Sequence, residues 1–231
     1  MSHHIQTPPE KAPRHGASRR LNPGFRFRFP SQTTIIGATQ SGKTTLLRKI
    51  IENASRTFTD PIDNIFWFCG VRTPGIPAHL PNIRIFEGLP DAEMLKEYRN
   101  QRNIVVCDDL MTEFARTKDS LNLLNTLFTV YAHHYNCAVF NLVQSAFALP
   151  PVTRNNSTYL ILMRSLSDAA QIKNLLVQQF GQKWRGAYEA YEDVMSKPYQ
   201  AMMINNDPMS PSNMRILSRF TDETPVAYEP V

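Results

Sequence analysis

The sequence predicts an α/β domain, a mostly parallel sheet with helices on both faces, and three observations carry that expectation. Apolar runs of strand length alternate with stretches of helical periodicity along most of the chain. A glycine-rich loop at residues 37–44 sits between an early strand run and the first helix run. The length, 231 residues with 42% hydrophobic and 19% charged, suits one domain with a sizeable core and tails, and is short for two.

Taken in order, residues 1–24 carry Pro8, Pro9, Pro13, Pro23, Gly16 and Gly24 among few apolar residues, which predicts a basic, Pro-rich, disordered arm. Structure is expected from Phe25. Over 25–29 phenylalanine alternates with arginine, the period of a strand with one buried face, so Phe25, Phe27 and Phe29 should point inward and Arg26 and Arg28 outward. Residues 33–36 are a β-rich run ending at Gly37, and over 44–54 the apolar Leu46, Leu47, Ile50 and Ile51 recur at helical spacing. Further strands are expected at 64–69, 83–86, 104–107, 138–143, 159–163 and 200–204. Helices fill most gaps, at 91–98, 120–135, 168–180 and 187–195. The clearest is 120–135, with Leu121, Leu124, Leu127, Phe128 and Tyr131 on one face and Asp119 or Ser120 as its cap. Residues 206–231, with four prolines, should wrap or trail. The domain plan is therefore an arm at 1–24, one α/β domain that carries the glycine-rich loop at 25–205 and a carboxyl-terminal extension at 206–231.

Composition narrows the function class. No apolar run approaches the ~20 residues that span a bilayer, so a membrane role has no support. The first residues lack the apolar stretch of a secretory signal, so the chain is expected to stay in a reducing compartment and not to be secreted. Cys69, Cys107 and Cys137 each lie in or beside an apolar run and share no metal-ligand spacing, so they read as buried strand residues. The net charge of +5 is carried by residues 1–30, where Lys11, Arg14, Arg19, Arg20, Arg26 and Arg28 face only Glu10, and the remainder is formally neutral. Such an arm suits nucleic acid or an acidic partner, or is simply a solvated tail.

The strongest chemical signal is Gly37-Ala38-Thr39-Gln40-Ser41-Gly42-Lys43-Thr44, followed by Thr45, a full match to the phosphate-binding loop G-x-x-x-x-G-K-[ST]. Gly37 and Gly42 let successive backbone N–H groups turn inward around phosphate oxygens, helped by the positive end of the following helix. Lys43 supplies charge to the β- and γ-phosphates, and the Thr44 hydroxyl is placed to ligate Mg²⁺. The second signal is Asn103-Ile-Val-Val-Cys-Asp108-Asp109, an apolar strand ending in two acids. Asp108 is expected at the Mg²⁺ site, and Asp109 as general base on the attacking water or as a cap of the next segment. Gln144, closing the run 138–143, can orient that water or be an ordinary loop residue. Arg154 and Arg164 are candidates to clamp the transferring phosphoryl group, in their own subunit or in a neighbour's. His133 and His134 are adjacent, so they point in different directions and suit a structural or signalling role better than metal ligation. Trp67, Trp184, Tyr188 and Tyr191 read as packing residues.

These residues resemble a known group. Phe29-Pro-Ser before the loop, Asp108-Asp109-Leu-Met, His133-His134-Tyr-Asn ahead of the strand closing on Gln144, Arg154-x-Asn156, Tyr159-Leu-Ile-Leu-Met, and Ala187-Tyr-Glu-Ala-Tyr-Glu-Asp through Lys197-Pro-Tyr are similar to the viral genome-packaging ATPases of the FtsK and HerA superfamily, which include the poxvirus-type and Polinton-like virus enzymes. The resemblance spans residues 25–204. It implies a RecA-like core, a homo-oligomeric ring, and ATP-driven movement of double-stranded DNA into a preformed viral capsid, with capsid proteins as further partners. It also implies a place inside the host cell, in nucleus or cytoplasm, or with the virion. Position by position, it puts the phosphate-binding lysine on Lys43, the Mg²⁺-site threonine on Thr44, the acid pair on Asp108 and Asp109, and the sensor amide on Gln144. Many superfamily members have Glu where this chain has Asp109, whose reach to water is shorter. The segment 145–158 is compressed, which bears on Arg154 as arginine finger.

The competing enzyme class is a nucleotide or small-molecule kinase on the same loop. Against it stand the missing Arg-rich lid and the acid pair with a strand-end Gln, which suit water better than a second substrate. A GTPase lacks its Asn-Lys-x-Asp motif here, and an ABC-type ATPase its Leu-Ser-Gly-Gly signature. A nucleotide-gated scaffold without turnover is the non-enzymatic alternative.

Overall fold

The protein is described from a computed structural model that covers residues 17–21, 24–165 and 168–230. Runs rich in β-branched and aromatic residues become the strands of one sheet: β1 (Ala17–Leu21), β2 (Ser31–Ile36), β3 (Asn64–Cys69), β4 (Ile83–Glu87), β5 (Asn103–Asp108), β6 (Cys137–Val143), β7 (Tyr159–Met163), β8 (Ala201–Asn205), β9 (Ile216–Ser218) and β10 (Val226–Pro230). Their order is β1-β10-β9-β8-β7-β2-β6-β5-β3-β4. The six strands from β7 to β4 are parallel, and the four beyond β7 run antiparallel to their neighbours. Every residue of β2, β3, β5, β6 and β7 is buried, because helices and loops cover both faces.

Alternate side chains of each strand enter opposite layers. Ile35, Trp67, Val106, Phe140 and Ile161 pack on one face against Leu47, Ile50 and Ile51 of the helix Lys43–Glu52 and against Phe27, Phe29 and Phe58. On the other face, Phe66, Val105 and Val139 meet Phe114, Leu124 and Phe128, while Ile36, Leu160 and Leu162 meet Leu176, Ala187 and Ala190 of the helices Ala169–Phe180 and Trp184–Met195. Leu47, fully buried, anchors the helix after the glycine loop, and truncating it to alanine would cost about 2–5 kcal/mol. The three cysteines are buried and free.

Several expectations shift. Residues 25–29 keep their alternation, with Phe27 and Phe29 buried and Arg26 and Arg28 exposed, but they form no strand of the sheet. Phe27 N–H donates to Thr57 O at 2.6 Å and Thr59 N–H to Phe27 O at 3.0 Å, so the segment pairs with the loop after the first helix and plugs the core with aromatic rings. The helix expected at 120–135 begins at Lys118, one turn before the first apolar residue of its face. Its cap is Thr117, because Thr117 and Ser120 satisfy each other's backbone N–H groups reciprocally. That helix continues through a π-helical stretch, Leu127–Tyr131, and ends at Ala132–His134. Residues 206–230, read as an extension, supply β9 and β10 to the same sheet, and Ala17–Leu21 within the expected arm pairs with β10. The remaining arm residues 1–16, 22 and 23 lie outside the described residues.

Candidate nucleotide site

Strand register assembles the site. Ile36 lies opposite Val143 on one side and Leu162 on the other, and Asp108 lies opposite Leu142 and Cys69. The chain therefore leaves β2, β5, β6 and β7 at one edge of the sheet, where open α/β sheets hold ligands. The acid strand β5 does not neighbour the loop strand β2. Strand β6 stands between them, so Gln144 leaves the sheet between the glycine loop and the acids.

The loop is pinned at its start by Gly37 N–H, which donates to Val143 O at 3.1 Å. A Cβ on Gly37 would lie 2.6 Å from Ser41 Oγ and 2.9 Å from Met163 Cβ, so the tight turn excludes any side chain there. At its end Gly42 takes a left-handed φ of 97°, open to glycine, and Gln40 takes φ 63° at a cost of roughly 1–2 kcal/mol for a residue with a side chain. The helix starts at Lys43 with no acid in its first turn, which leaves its positive end unneutralised toward the loop. Lys43 is nearly buried. Its ammonium donates to Gly37 O at 2.7 Å and Ala38 O at 3.0 Å across the mouth of the loop. Burial lowers the Lys43 pKa below the usual lysine value, and the charges of Asp109 and Asp108 oppose that shift. Thr39, Gln40 and Thr45 are exposed around the opening.

Asp108 and Asp109 are consecutive yet do different things. Asp108 ends β5 buried, and Thr44 Oγ1 approaches its Oδ2 at 3.4 Å. Burial raises the Asp108 pKa and Asp109 adds to the rise. The Trp67 indole, whose N–H makes no hydrogen bond of good geometry, lies close enough to oppose it, as do Lys43 and Thr44. Asp109 turns to φ 56°, a left-handed geometry that Asp tolerates, with its N–H held by Leu142 O at 3.2 Å. This turn sends its exposed carboxylate out of the sheet. There Gln144 Nε2 donates to Oδ1 at 3.1 Å and to Oδ2 at 3.0 Å.

The residues fit an anionic ligand with a divalent cation. Gly37 leaves a hollow that a Cβ would fill, and the buried Ser41 hydroxyl has no partner. Thr44 and Asp108 bring two oxygens of the kind Mg²⁺ prefers to one place, where a cation would offset the burial of the carboxylate.

Arg154 is not part of this cluster. It lies on the helix Pro151–Asn155, with its guanidinium over the Phe147 ring at 5.7 Å and a buried Nε without a hydrogen-bond partner. Arg164, the other arginine candidate, follows directly after Met163 and is exposed beside the loop. His133 reaches Gln32 near the start of β2, where the two Nε2 atoms lie 3.0 Å apart, away from the edge that carries the loop. Sequence reasoning missed Tyr199, Arg219 and Phe220, which line a cavity beside Gly42 and Lys43. Their one local signal is the string Lys197-Pro-Tyr199, which carried part of the resemblance.

No protein-family model matches the chain, and no curated protein matches it in sequence. Solved structures do match it in fold. B204, the DNA-packaging ATPase from Sulfolobus turreted icosahedral virus, superposes with a TM-score of 0.54 at 11% identity over 87% of this chain and 98% of its own. The cytoplasmic domain of the type VII secretion ATPase EccC from Thermomonospora curvata gives a TM-score of 0.55 at 12% identity, covering 87% of this chain and 25% of that one. The cytoplasmic domain of EssC gives 0.52 at 15% identity over 66% of this chain, which spans about a third, 34%, of that neighbour. At such identities the likeness is one of fold: the chain has the α/β fold that these P-loop ATPases share.

Proposed function

We propose that the chain binds ATP with Mg²⁺ in the loop 37–44, hydrolyses it, and works as the subunit of a homo-oligomeric ring that drives double-stranded DNA into a viral capsid. The observation that carries the hydrolytic part is the meeting of five groups that follow three strands at one sheet edge: Lys43, Thr44 against Asp108, and Asp109 under Gln144. The motor part is supported by the fold it shares with B204, a DNA-packaging ATPase, and with the genome-packaging NTPase B204 of Sulfolobus turreted icosahedral virus 2, solved in a complex with ATPγS. Residues of the resemblance support the same reading.

In this reading the loop N–H groups and Lys43 bind the phosphate tail, exchanging the bonds to Gly37 O and Ala38 O for phosphate oxygens. Thr44 and Asp108 would hold Mg²⁺, which when bound would supply positive charge against the phosphate tail. Asp109 takes a proton from the attacking water at one carboxylate oxygen. Gln144 donates to both of those oxygens and leaves lone pairs free on each, so its amide lies beside the place where Asp109 would meet the water. Arg154 faces Phe147 and serves the nucleotide of a neighbouring subunit, while Arg164 lies at the rim of its own. The work takes place inside the host cell or in the virion, with capsid proteins as partners.

Steady-state ATP turnover with and without double-stranded DNA tests this reading. Strong stimulation by DNA is the expected result. Turnover that ignores DNA but rises with a nucleoside monophosphate would replace the motor with a kinase, and the absence of any turnover would leave a nucleotide-gated scaffold.

A further inference from the structure

Beside the glycine loop a cavity of about 750 Å³ opens between the first turns of the helix Lys43–Glu52, the start of β8 and the segment after β9. Gly42 and Lys43 belong to its wall, so it is continuous with the phosphate loop. Its size is that of a pocket for a nucleoside or small cofactor.

Two features of the wall call for a ligand. Tyr199 is 75% exposed and has no aromatic partner among the described residues, yet it is held against the loop, where its Cδ1 would be 3.4 Å from a Cβ on Gly42. An exposed aromatic ring fixed beside a binding loop offers a flat face to a ligand. Backbone strain also gathers here. Of the five non-glycine residues with left-handed φ among the described residues, Gln40, Asp109, Tyr199 and Arg219 border the loop, the acids or this cavity, and Asn136 alone lies elsewhere. Such geometry persists where the surrounding structure enforces it, and it clusters at ligand sites.

The chemistry of the wall says what it reads. Asp222 accepts from Lys49 Nζ at 3.2 Å and from Arg219 Nε at 3.0 Å. Burial would raise its carboxyl, but those bonds and charges outweigh it and hold the group below the usual range. The three charged groups thus answer one another. Beyond the polar residues 40–45 of the loop and the helix start, Gln200 and Thr221 remain, and each carries both a donor and an acceptor.

We propose that this cavity takes the purine base and ribose of the nucleotide, that the base stacks on Tyr199, and that the site accepts 6-amino and 6-oxo purines alike. The inference rests on the nucleotide reading of the loop. It follows because a π-face is common to both purines, and an amide or hydroxyl that can turn donor into acceptor excludes neither.

Calorimetric titration of the full chain with ATP, GTP and inorganic tripolyphosphate in Mg²⁺ tests it, on wild type, Tyr199→Ala and Tyr199→Phe. Tyr199→Ala should weaken ATP and GTP about tenfold, within the range of base–aromatic stacking, and leave tripolyphosphate unchanged, while Tyr199→Phe keeps wild-type affinity. Unchanged ATP affinity in Tyr199→Ala, or an equal loss for all three ligands, would remove the stacking face. GTP binding weaker than ATP by ~100-fold in wild type would remove the permissive base site. A wild type that takes up none of the three would overturn the reading of the loop, and the base pocket with it.

Discussion

The phosphate loop is eight consecutive residues, 37–44, whereas the far side of the cavity beside it is gathered from Lys49, from Tyr199 to Ala201 and from Arg219 to Asp222, segments far apart in the chain. The difference reflects what each end has to hold. Phosphate is bound by backbone N–H groups, so the demand falls on backbone conformation, and only glycine at 37 and 42 meets it without strain or collision. That demand leaves a motif. A flat ring can be held by many combinations of side chains, provided the sheet order brings β8 and the segment after β9 beside the loop, and that demand leaves none.

Lys43→Ala attacks the phosphate end and should have the largest effect. It removes the cation that spans the loop, so ATP turnover should vanish and tripolyphosphate binding should fall together with ATP binding, unlike in Tyr199→Ala. Wild-type turnover in this variant would sink the assignment of the site. Asp109→Asn comes next. It keeps the shape and one of the two bonds from Gln144, so Mg²⁺-ATP should stay bound while hydrolysis slows by ~10², the scale of a lost general base. Loss of binding in equal measure would instead place Asp109 at the metal.

Asp108→Asn gives a smaller effect of opposite sign on stability. Burial raises the Asp108 pKa, so the folded chain holds that proton more tightly than the unfolded chain does. Below the ordinary carboxylate range both states are protonated and the group is neutral for stability. As pH rises through the raised value, the fold must carry a buried charge and loses stability. In chelator, Asp108→Asn should therefore melt higher than the parent at neutral pH, and the gap should close on acidification. Melting curves that coincide at every pH would show that the carboxylate is not strained by its burial.

The described residues that line either end all lie beyond the arm, which should matter least. Because Ala17–Leu21 pairs with β10, a cut at residue 24 would strip a strand, so the clean deletion is 1–16, which removes Lys11 and Arg14 against Glu10. In log affinity for DNA against log salt, the slope should become shallower by up to ~0.9 per lost phosphate contact, with nucleotide affinity unchanged. Equal slopes before and after deletion would assign those residues another task.

How much of this was legible follows from how local each cause is. The runs at 64–69, 104–107 and 159–163 read as strands because both faces are buried and nearly every side chain is apolar. The alternation in 25–29 told correctly which side chains turn inward, yet not that they pair with Thr57 and Thr59 instead of the sheet, since a period of two fixes faces and not partners. Thr117 does not stand out in the sequence as a cap, because its partner is Ser120, where the usual pattern has Glu or Gln. Strand β9 is three residues long, too short to show a period, and it gains its place only from β8 and β10 on either side.

By itself, then, the sequence determined the α/β class, the glycine loop and the two acids at the end of an apolar strand, because each depends on contiguous residues whose backbone or burial needs are strict. The tertiary structure alone decided that β6 stands between loop and acids, that Gln144 closes on Asp109 while Arg154 turns away, and that Tyr199 faces the loop. Those outcomes depend on strand order and register, which arise from packing the whole sheet, and no single segment encodes them.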